Sequence, residues 1–388
     1  MAQELIYKSI GIVGAGPAGC MCAKLLSDAG FDVTLFDMGK FLRTLLPTGG
    51  GKCNITHDEP DFREFAKNYP RGEKFLYSVF SKFGVSDTID FFNSIGVKTY
   101  TREDKRVFPI SNSSSDVREK LLKSIKCHFT NEEVVNIQKI SGENGFKLKT
   151  DKNEYYFDDI VISIGGHAGY KLLENLGINI ITPVPSLVGF VTKENFSSLS
   201  GVSLKDVKIK IKKKEYCGDI LFTHKGISGP LIYVISSVYA KEKLPLEMLL
   251  RFTEDIDLQK FLEQNSHKEV KNLLSQFVPK SLGEYILKIS AINPDTPCHQ
   301  INSKQRNKIC ESLTNFKVTV INKVKDSEIV TCGGVDLKEV NSKTLESKKY
   351  DGLYFCGEVL DIDGFCGGYN LQNCWSTGYI CAQSIINK

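Results

Sequence analysis

The chain has 388 residues, 50 basic and 46 acidic, for a formal net charge of +4, and 41% of its side chains are hydrophobic. That length allows two or three units that each bury a core, and the interspersed charge excludes a charged-tail protein. No apolar run, Leu231 to Ala240 included, is long enough to cross a bilayer as a helix.

The first element predicted is a strand. Ile10, Ile12 and Val13 form a β-branched run of the kind buried on both faces of a parallel sheet. The sequence then reads Gly14-Ala15-Gly16-Pro17-Ala18-Gly19 and continues as a helix to Ala29. Gly14 permits the tight turn, Gly16 lets the backbone approach a diphosphate, and Gly19 lets the helix pack closely on the strand. Pro17 suits the first helical turn, and the helix aims its free N–H groups and positive end at the phosphates. A second strand, Asp32 to Phe36, ends at Asp37, about 20 residues beyond the glycines, where a carboxylate accepts from adenosine ribose hydroxyls. Strand, turn, helix, strand and acid together predict an adenine dinucleotide site, for FAD or NAD. The strand begins so near Met1 that a signal peptide has no room, and a cytoplasmic protein is expected.

Next comes Thr48-Gly49-Gly50-Gly51-Lys52-Cys53-Asn54, whose glycines, cation and amide suit an anion or an electron-rich ring. Phe62 to Gly96 reads as two amphipathic helices, with Phe75, Val79, Phe80 and Phe83, then Ile89, Phe91, Phe92 and Ile95, as core stripes. Arg102 to Pro109 reads as a charged turn, and Ser113 caps a helix through Leu121 and Ile125. Strands over 132–140, 146–150 and 154–157, separated by turns at 141–145 and 151–153, predict a small antiparallel sheet. Asp159 to Ser163 is another buried strand, running into Gly165 and Gly166.

After Pro183 and Pro185 the pattern becomes alternating strands, 187–192, 207–211 and 218–222, which sets a boundary there. The lysine cluster from Lys205 to Lys214 alternates with Val207, Ile209 and Ile211, as a half-exposed strand does. No aromatic residues are interleaved for base stacking, so it reads as a solvated face and no nucleic-acid partner is expected. His224, in Phe222 to Pro230, is either a proton donor facing a flavin or a turn residue. From Asp255 to about Phe316 the period is helical, with Phe261, Val270, Leu273, Leu274, Phe277, Leu282, Ile286 and Ile289 as buried faces and Pro279 and Pro294 as breaks.

The tail runs Gly352 to Gly357-Glu358, then Asp363-Gly-Phe-Cys366-Gly367-Gly368-Tyr369-Asn370-Leu371. A short strand entering Gly-Glu returns a carboxylate to the ribityl hydroxyls. The glycines that follow admit an isoalloxazine, and a helix N-terminus near Asn370 favours the charge a reduced flavin develops. NAD needs no such return, so FAD is favoured. The twelve cysteines contain no Cys-x-x-Cys pair, so neither a metal nor a disulfide framework is expected, and most read as buried small hydrophobes. Cys53, Cys356 and Cys366 are set apart by their glycine-rich surroundings.

The segments 49–56, 222–230, 331–335 and 357–370 together resemble the BaiN/YhiN-like flavoproteins, NAD(P)/FAD-dependent oxidoreductases with a glutathione-reductase-like FAD domain, over essentially the whole chain. The resemblance implies an α/β fold: a Rossmann-like FAD-binding domain of 1–185 and 325–388, a β-rich insert of 186–253 with 316–324, and a helical insert subdomain of 254–315. It also implies cofactor contacts at Gly14 to Gly19, Asp37, Met38, Thr48 to Asn54 (Gly49, Gly50, Gly51, Lys52 and Cys53 included), Val134, Gly165, Gly166, Gly357, Glu358, Asp363, Gly368, Tyr369, Asn370 and Leu371. Lys52 stands where the family tends to have arginine, keeping the charge but losing the planar fork, and His57 replaces a usual asparagine. The expected function is transfer of reducing equivalents through FAD to or from a small organic substrate, such as reduction of an activated double bond. No second Gly-x-Gly-x-x-Gly follows a strand, so either NAD(P)H visits the flavin as a transient donor or another donor is used. Amine oxidation and a non-catalytic redox sensor are the alternatives. His224, Cys53 and Cys366 are the catalytic candidates.

Overall fold

The computed structural model describes residues 8–140, 145–166, 169–254, 256–324 and 330–388. The turn expected at 141–145 lies mostly outside these residues, as do Asp255 and the expected boundary at 325. The chain divides into two compact units, one of 1–184 with 330–388 and one of 185–329.

In the first unit, five parallel strands lie in the order Leu353–Phe355, Asp159–Ile162, Ser9–Val13, Asp32–Phe36 and His128–Thr130. Ile10, Ile12, Leu35, Val161 and Ile162 are fully or almost fully buried, as the β-branched runs require. From the strand Ser9–Val13 the sheet grows one way through Asp32–Phe36 and the other way through Asp159–Ile162. The order therefore reverses beside Ser9–Val13, and in open α/β sheets a ligand crevice opens there, beyond the carboxyl ends of the strands.

Helix Pro17–Asp28 packs along the C-terminal helix Tyr369–Ile386, so the two ends of the polypeptide share one core. Strands Val134–Lys139, Phe146–Thr150 and Glu154–Phe157 form the small antiparallel sheet. Two expectations need correction. The region 62–96 holds three helices, Phe62–Ala66, Glu73–Phe80 and Val85–Ser94, because Gly72 and Gly84 interrupt an apolar periodicity that runs on unbroken. Arg102 to Pro109 is more than a turn, since Arg106–Pro109 pairs with Thr99–Thr101 and with Thr56–His57.

The second unit is a closed antiparallel barrel, in the order Phe190–Thr192, Gly226–Ser228, Lys214–Thr223, Ser203–Ile211, Leu246–Arg251 and Phe316–Lys323. Closure removes sheet edges. Helices Leu258–Gln264, Val270–Leu274, Lys280–Ile289 and Ser303–Thr314 share one apolar cluster with the barrel, including Phe196, Phe222, Met248, Leu250, Leu282, Ile286 and Val318. Such short helices offer one apolar face each and cannot enclose a core alone. Ile289, expected inside, is 51% exposed at the helix end, and Leu287 is buried in its stead.

All twelve cysteines are free, eight of them buried. Among the described residues no helix is long and apolar enough to cross a membrane, and no three His, Cys, Asp or Glu side chains gather as a metal site would need.

Candidate active site

Four loops leave the carboxyl ends of neighbouring strands at the reversal point: Gly14 to Gly16, Asp37 to Gly39, Ser163 to Gly166, and Cys356 to Glu358. Each was singled out from the sequence, and the parallel register brings them together. Gly14 has φ +102°, and a Cβ there would lie 2.4 Å from the Ser163 carbonyl oxygen; one on Gly19 would lie 2.1 Å from the Gly14 oxygen. Both glycines are therefore demanded by packing. Gly16 differs, because the one heavy atom near its notional Cβ is Thr44 Oγ1 at 3.9 Å. Helix Pro17–Asp28 starts here without a side-chain cap, so its first N–H groups face the open side of the turn.

Asp37 accepts from Ala15 N–H through Oδ2 and from Gly39 N–H through Oδ1, both at 2.9 Å. Each oxygen keeps lone-pair capacity for a ribose hydroxyl. Met38 beside it is 64% exposed. Leu42 N–H donates to Ala15 O at 2.7 Å, tying the next segment to the phosphate turn.

Thr48–Gly51 forms a short 3-10 turn closed by Thr48 Oγ1 donating to Leu45 O. Cβ atoms on Gly50, Gly51 or Gly165 would meet nothing within 4 Å, so open space adjoins all three. Lys52 is exposed. Asn54 is 8% exposed and its Oδ1 is buried without a hydrogen-bond partner, a cost that a donor on a bound group would relieve. Cys53, at φ +62°, is fully buried, and burial pushes its thiol up to about 12. Cys356 is also fully buried. Neither thiol presents a nucleophile to a substrate, so the glycine-rich surroundings did not make them reactive.

The C-terminal return completes the crevice. A Cβ on Gly357 would stand 2.7 Å from the Ala18 Cβ, and Gly357 N–H donates to Thr377 Oγ1 at 2.8 Å. Glu358 is half-buried, and burial, with Asp363 adding, raises its carboxyl to about 7. Nearby, the Tyr170 hydroxyl is buried without a partner. Asp363 is fully buried and gripped at both oxygens by Arg71 Nε and Nη2. Asn370 bonds Gly364 in both directions at 2.8 Å. These two therefore brace the 363–370 loop from within the protein. Gly368 passes Thr56, Leu371 is half-buried, and the Tyr369 ring stacks on His57 with centroids 4.8 Å apart. His57 Nδ1 lies 3.3 Å from Gly367 O, and burial holds the imidazole below its usual pKa. Cys366 is half-buried; burial raises its thiol pKa, against a smaller opposing pull from Arg106.

Two candidates lie on other elements. His224 is exposed in the turn between Lys214–Thr223 and Gly226–Ser228, in the second unit. Val134, half-buried, opens the strand of the small antiparallel sheet. Sequence reasoning missed Arg71 and the Gln372 network, in which the Gln372 amide bonds Thr56, Thr88 and Ser376. Isolated polar residues carry no periodicity that would mark them.

The open face of Gly16, the uncapped helix start, the clear space at Gly50, Gly51 and Gly165, and the orphaned Asn54 Oδ1 together fit FAD. Comparison with known proteins agrees. The family model described as HI0933-like protein Rossmann domain matches residues 8–384. A ribosomal RNA dihydrouridine synthase of Escherichia coli (strain K12) is 32% identical, covering 97% of each chain. A 3-dehydro-bile acid delta(4,6)-reductase of Clostridium scindens is 29% identical over 98% of this chain and 99% of its own. A flavocytochrome c3 fumarate reductase structure aligns with 100% of this chain and 79% of its own, at a TM-score of 0.50 and 15% identity, a likeness of fold. The chain thus belongs to the HI0933-like family, as its BaiN/YhiN-like motifs led one to expect, and is an FAD-dependent oxidoreductase.

Proposed function

We propose that the chain saturates a carbon–carbon double bond conjugated to a carbonyl, and that the bond lies in a uracil of ribosomal RNA. The observation that carries this reading is shared chemistry. The two relatives, each aligned along nearly its whole length, are named for a dihydrouridine product and for a delta(4,6) reduction of a 3-dehydro compound. Both names describe adding two hydrogens across a conjugated double bond. The closer identity, 32% against 29%, favours the RNA base.

FAD, when bound, supplies the hydride-carrying chemistry. The protein's part is to hold and orient. The Gly14 to Gly16 turn and the helix start at Pro17 hold the diphosphate, Asp37 takes the adenosine ribose, and Glu358 takes the ribityl hydroxyls. The N-terminus of Tyr369–Ile386 would offer its positive dipole end to the flavin ring. Saturating the bond takes one hydride, drawn ultimately from NADH or NADPH, and one proton. The β-carbon receives the hydride and the α-carbon the proton. Cys366 is the candidate proton donor, because its thiol is half-buried rather than sealed and a thiol carries its proton at neutral pH; water restores that proton.

The test is anaerobic. NADH or NADPH should bleach the flavin absorbance, and unmodified ribosomal RNA should then restore it with a mass gain of two hydrogens on one uridine. Reoxidation by a steroid enone but not by RNA would move the substrate to the bile-acid class. Bleaching by an amine and by neither nicotinamide would replace the reductase with an oxidase.

A further inference from the structure

The residues from Lys205 to Lys214 include six lysines and one acid, more positive charge than the net +4 of the whole chain. The structure places them on a hairpin of the barrel. Val207, Ile209 and Ile211 point into the core, so the two-residue period turns Lys208 and Lys210 outward, and Lys212 follows, exposed, in the turn. On one side the strand Lys214–Thr223 sets Glu215 opposite Lys210, and on the other Leu246–Arg251 and Phe316–Lys323 extend the positive charge. Lys208 lies opposite Arg251, and Lys210 lies opposite Leu249, which in turn lies opposite Lys317. Like charges directly opposite on one face oppose sheet pairing, and the barrel keeps this arrangement. Glu254 partners Lys208, Glu242 partners Lys212 and Glu247 partners Lys317, whereas Lys205, Lys210, Lys213 and Lys214 make no ion pair among the described residues.

We infer that this outward face, formed by Ser203–Ile211, its turn at 212–213 and the flanking Arg251 and Lys317, docks the phosphate backbone of the ribosomal RNA. The inference rests on the RNA reading above and adds where the polymer is held. Lysines recurring every second residue, about 7 Å apart along a strand, can follow a chain of phosphates. Such contacts set position and affinity but read no sequence. The lack of interleaved aromatics, from which the sequence reads as a solvated face with no nucleic-acid partner, excludes base stacking but not a surface that grips the backbone alone.

The experiment compares the wild-type holoprotein with Lys210→Glu/Lys213→Glu/Lys214→Glu. A control carries Lys268→Glu/Lys304→Glu/Lys308→Glu, which reverses three exposed lysines elsewhere in the same unit. Binding of a ribosomal RNA fragment is measured across a salt series, alongside FAD content and the rate of flavin reduction by the nicotinamide donor. The expected result is a loss of affinity of at least about tenfold in the hairpin variant. Its log K against log salt slope should be shallower by roughly two to three, near one per phosphate contact removed. FAD content and flavin reduction should not change, and the control should keep most of its affinity. Equal binding and equal slope for wild type and hairpin variant would overturn the docking face while leaving the RNA reading intact. An equal loss in the control would also overturn it, since the effect would then be one of overall charge. A wild-type protein that neither binds nor modifies the RNA, yet reduces a steroid enone, would sink the RNA reading itself.

Discussion

Replacing Gly378 with alanine tests the meeting of the two chain ends through the sign of one number. In an isolated helix the change should stabilise by about 1 kcal/mol, because alanine loses less backbone freedom than glycine. Here the added Cβ would stand 2.5 Å from the Ala18 carbonyl oxygen and 3.0 Å from the Met21 Cβ, both on the first helix. The oxygen belongs to helical backbone and cannot swing aside, so restoring ordinary contact requires the helices to part by about 1 Å; overpacking of this kind costs roughly 1–3 kcal/mol. The two effects oppose, and a net loss of about 1–2 kcal/mol is expected, because the contact is with backbone rather than a flexible side chain. The single tryptophan, Trp375, reports on this event: it is fully buried one turn away, with its Nε1 donating to Ile55 O at 3.1 Å. Urea unfolding followed by Trp375 fluorescence should show a lower midpoint for Gly378→Ala, and FAD affinity should fall with it, since Gly357 packs on the same Ala18. A gain of about 1 kcal/mol, the value for an unpacked helix, would refute the contact between the chain ends.

Two further perturbations bear on the return loop. Arg71→Met should destabilise by about 3–5 kcal/mol, because the fully buried Asp363 carboxylate loses its guanidinium; adding Asp363→Asn should recover a substantial part, and a single-variant loss below about 1 kcal/mol would show the pair to be dispensable. Glu358 carries a folded-state pKa of about 7 against an ordinary 4.5. Folding therefore favours its protonated form, so the stabilisation present below pH 4.5 is lost as pH rises through about 7, by up to roughly 3 kcal/mol at about 1.4 kcal/mol per pKa unit. Urea midpoints of the FAD-free protein from pH 5 to 8 should fall more steeply for wild type than for Glu358→Gln, and parallel slopes would locate the titration elsewhere.

What the sequence by itself determined about this protein is the part written in short-range backbone chemistry. Gly14 takes a positive φ at a tight turn and Gly19 packs on the Gly14 oxygen, Asp37 closes a strand at a set distance from them, and alternation from Lys205 to Ile211 marks a half-buried strand. These signals depend on neighbours within about twenty residues and on periods of two or 3.6, so they survive without the fold. The same local character explains the errors at Gly72, Gly84 and Ile289, where the apolar period continued past the point at which a helix stopped.

Only the tertiary structure decided which of these residues meet. The order reversal beside Ser9–Val13 sets Gly14, Asp37, Gly165 and Glu358 at one crevice. The packing of Ala18 against Gly357 and Gly378 joins residues more than 300 positions apart. The same packing sealed Cys53 and Cys356 but left Cys366 half-exposed, and it paired Arg71 with Asp363. Burial and pairing are properties of the surroundings, and no residue carries its surroundings in its own name.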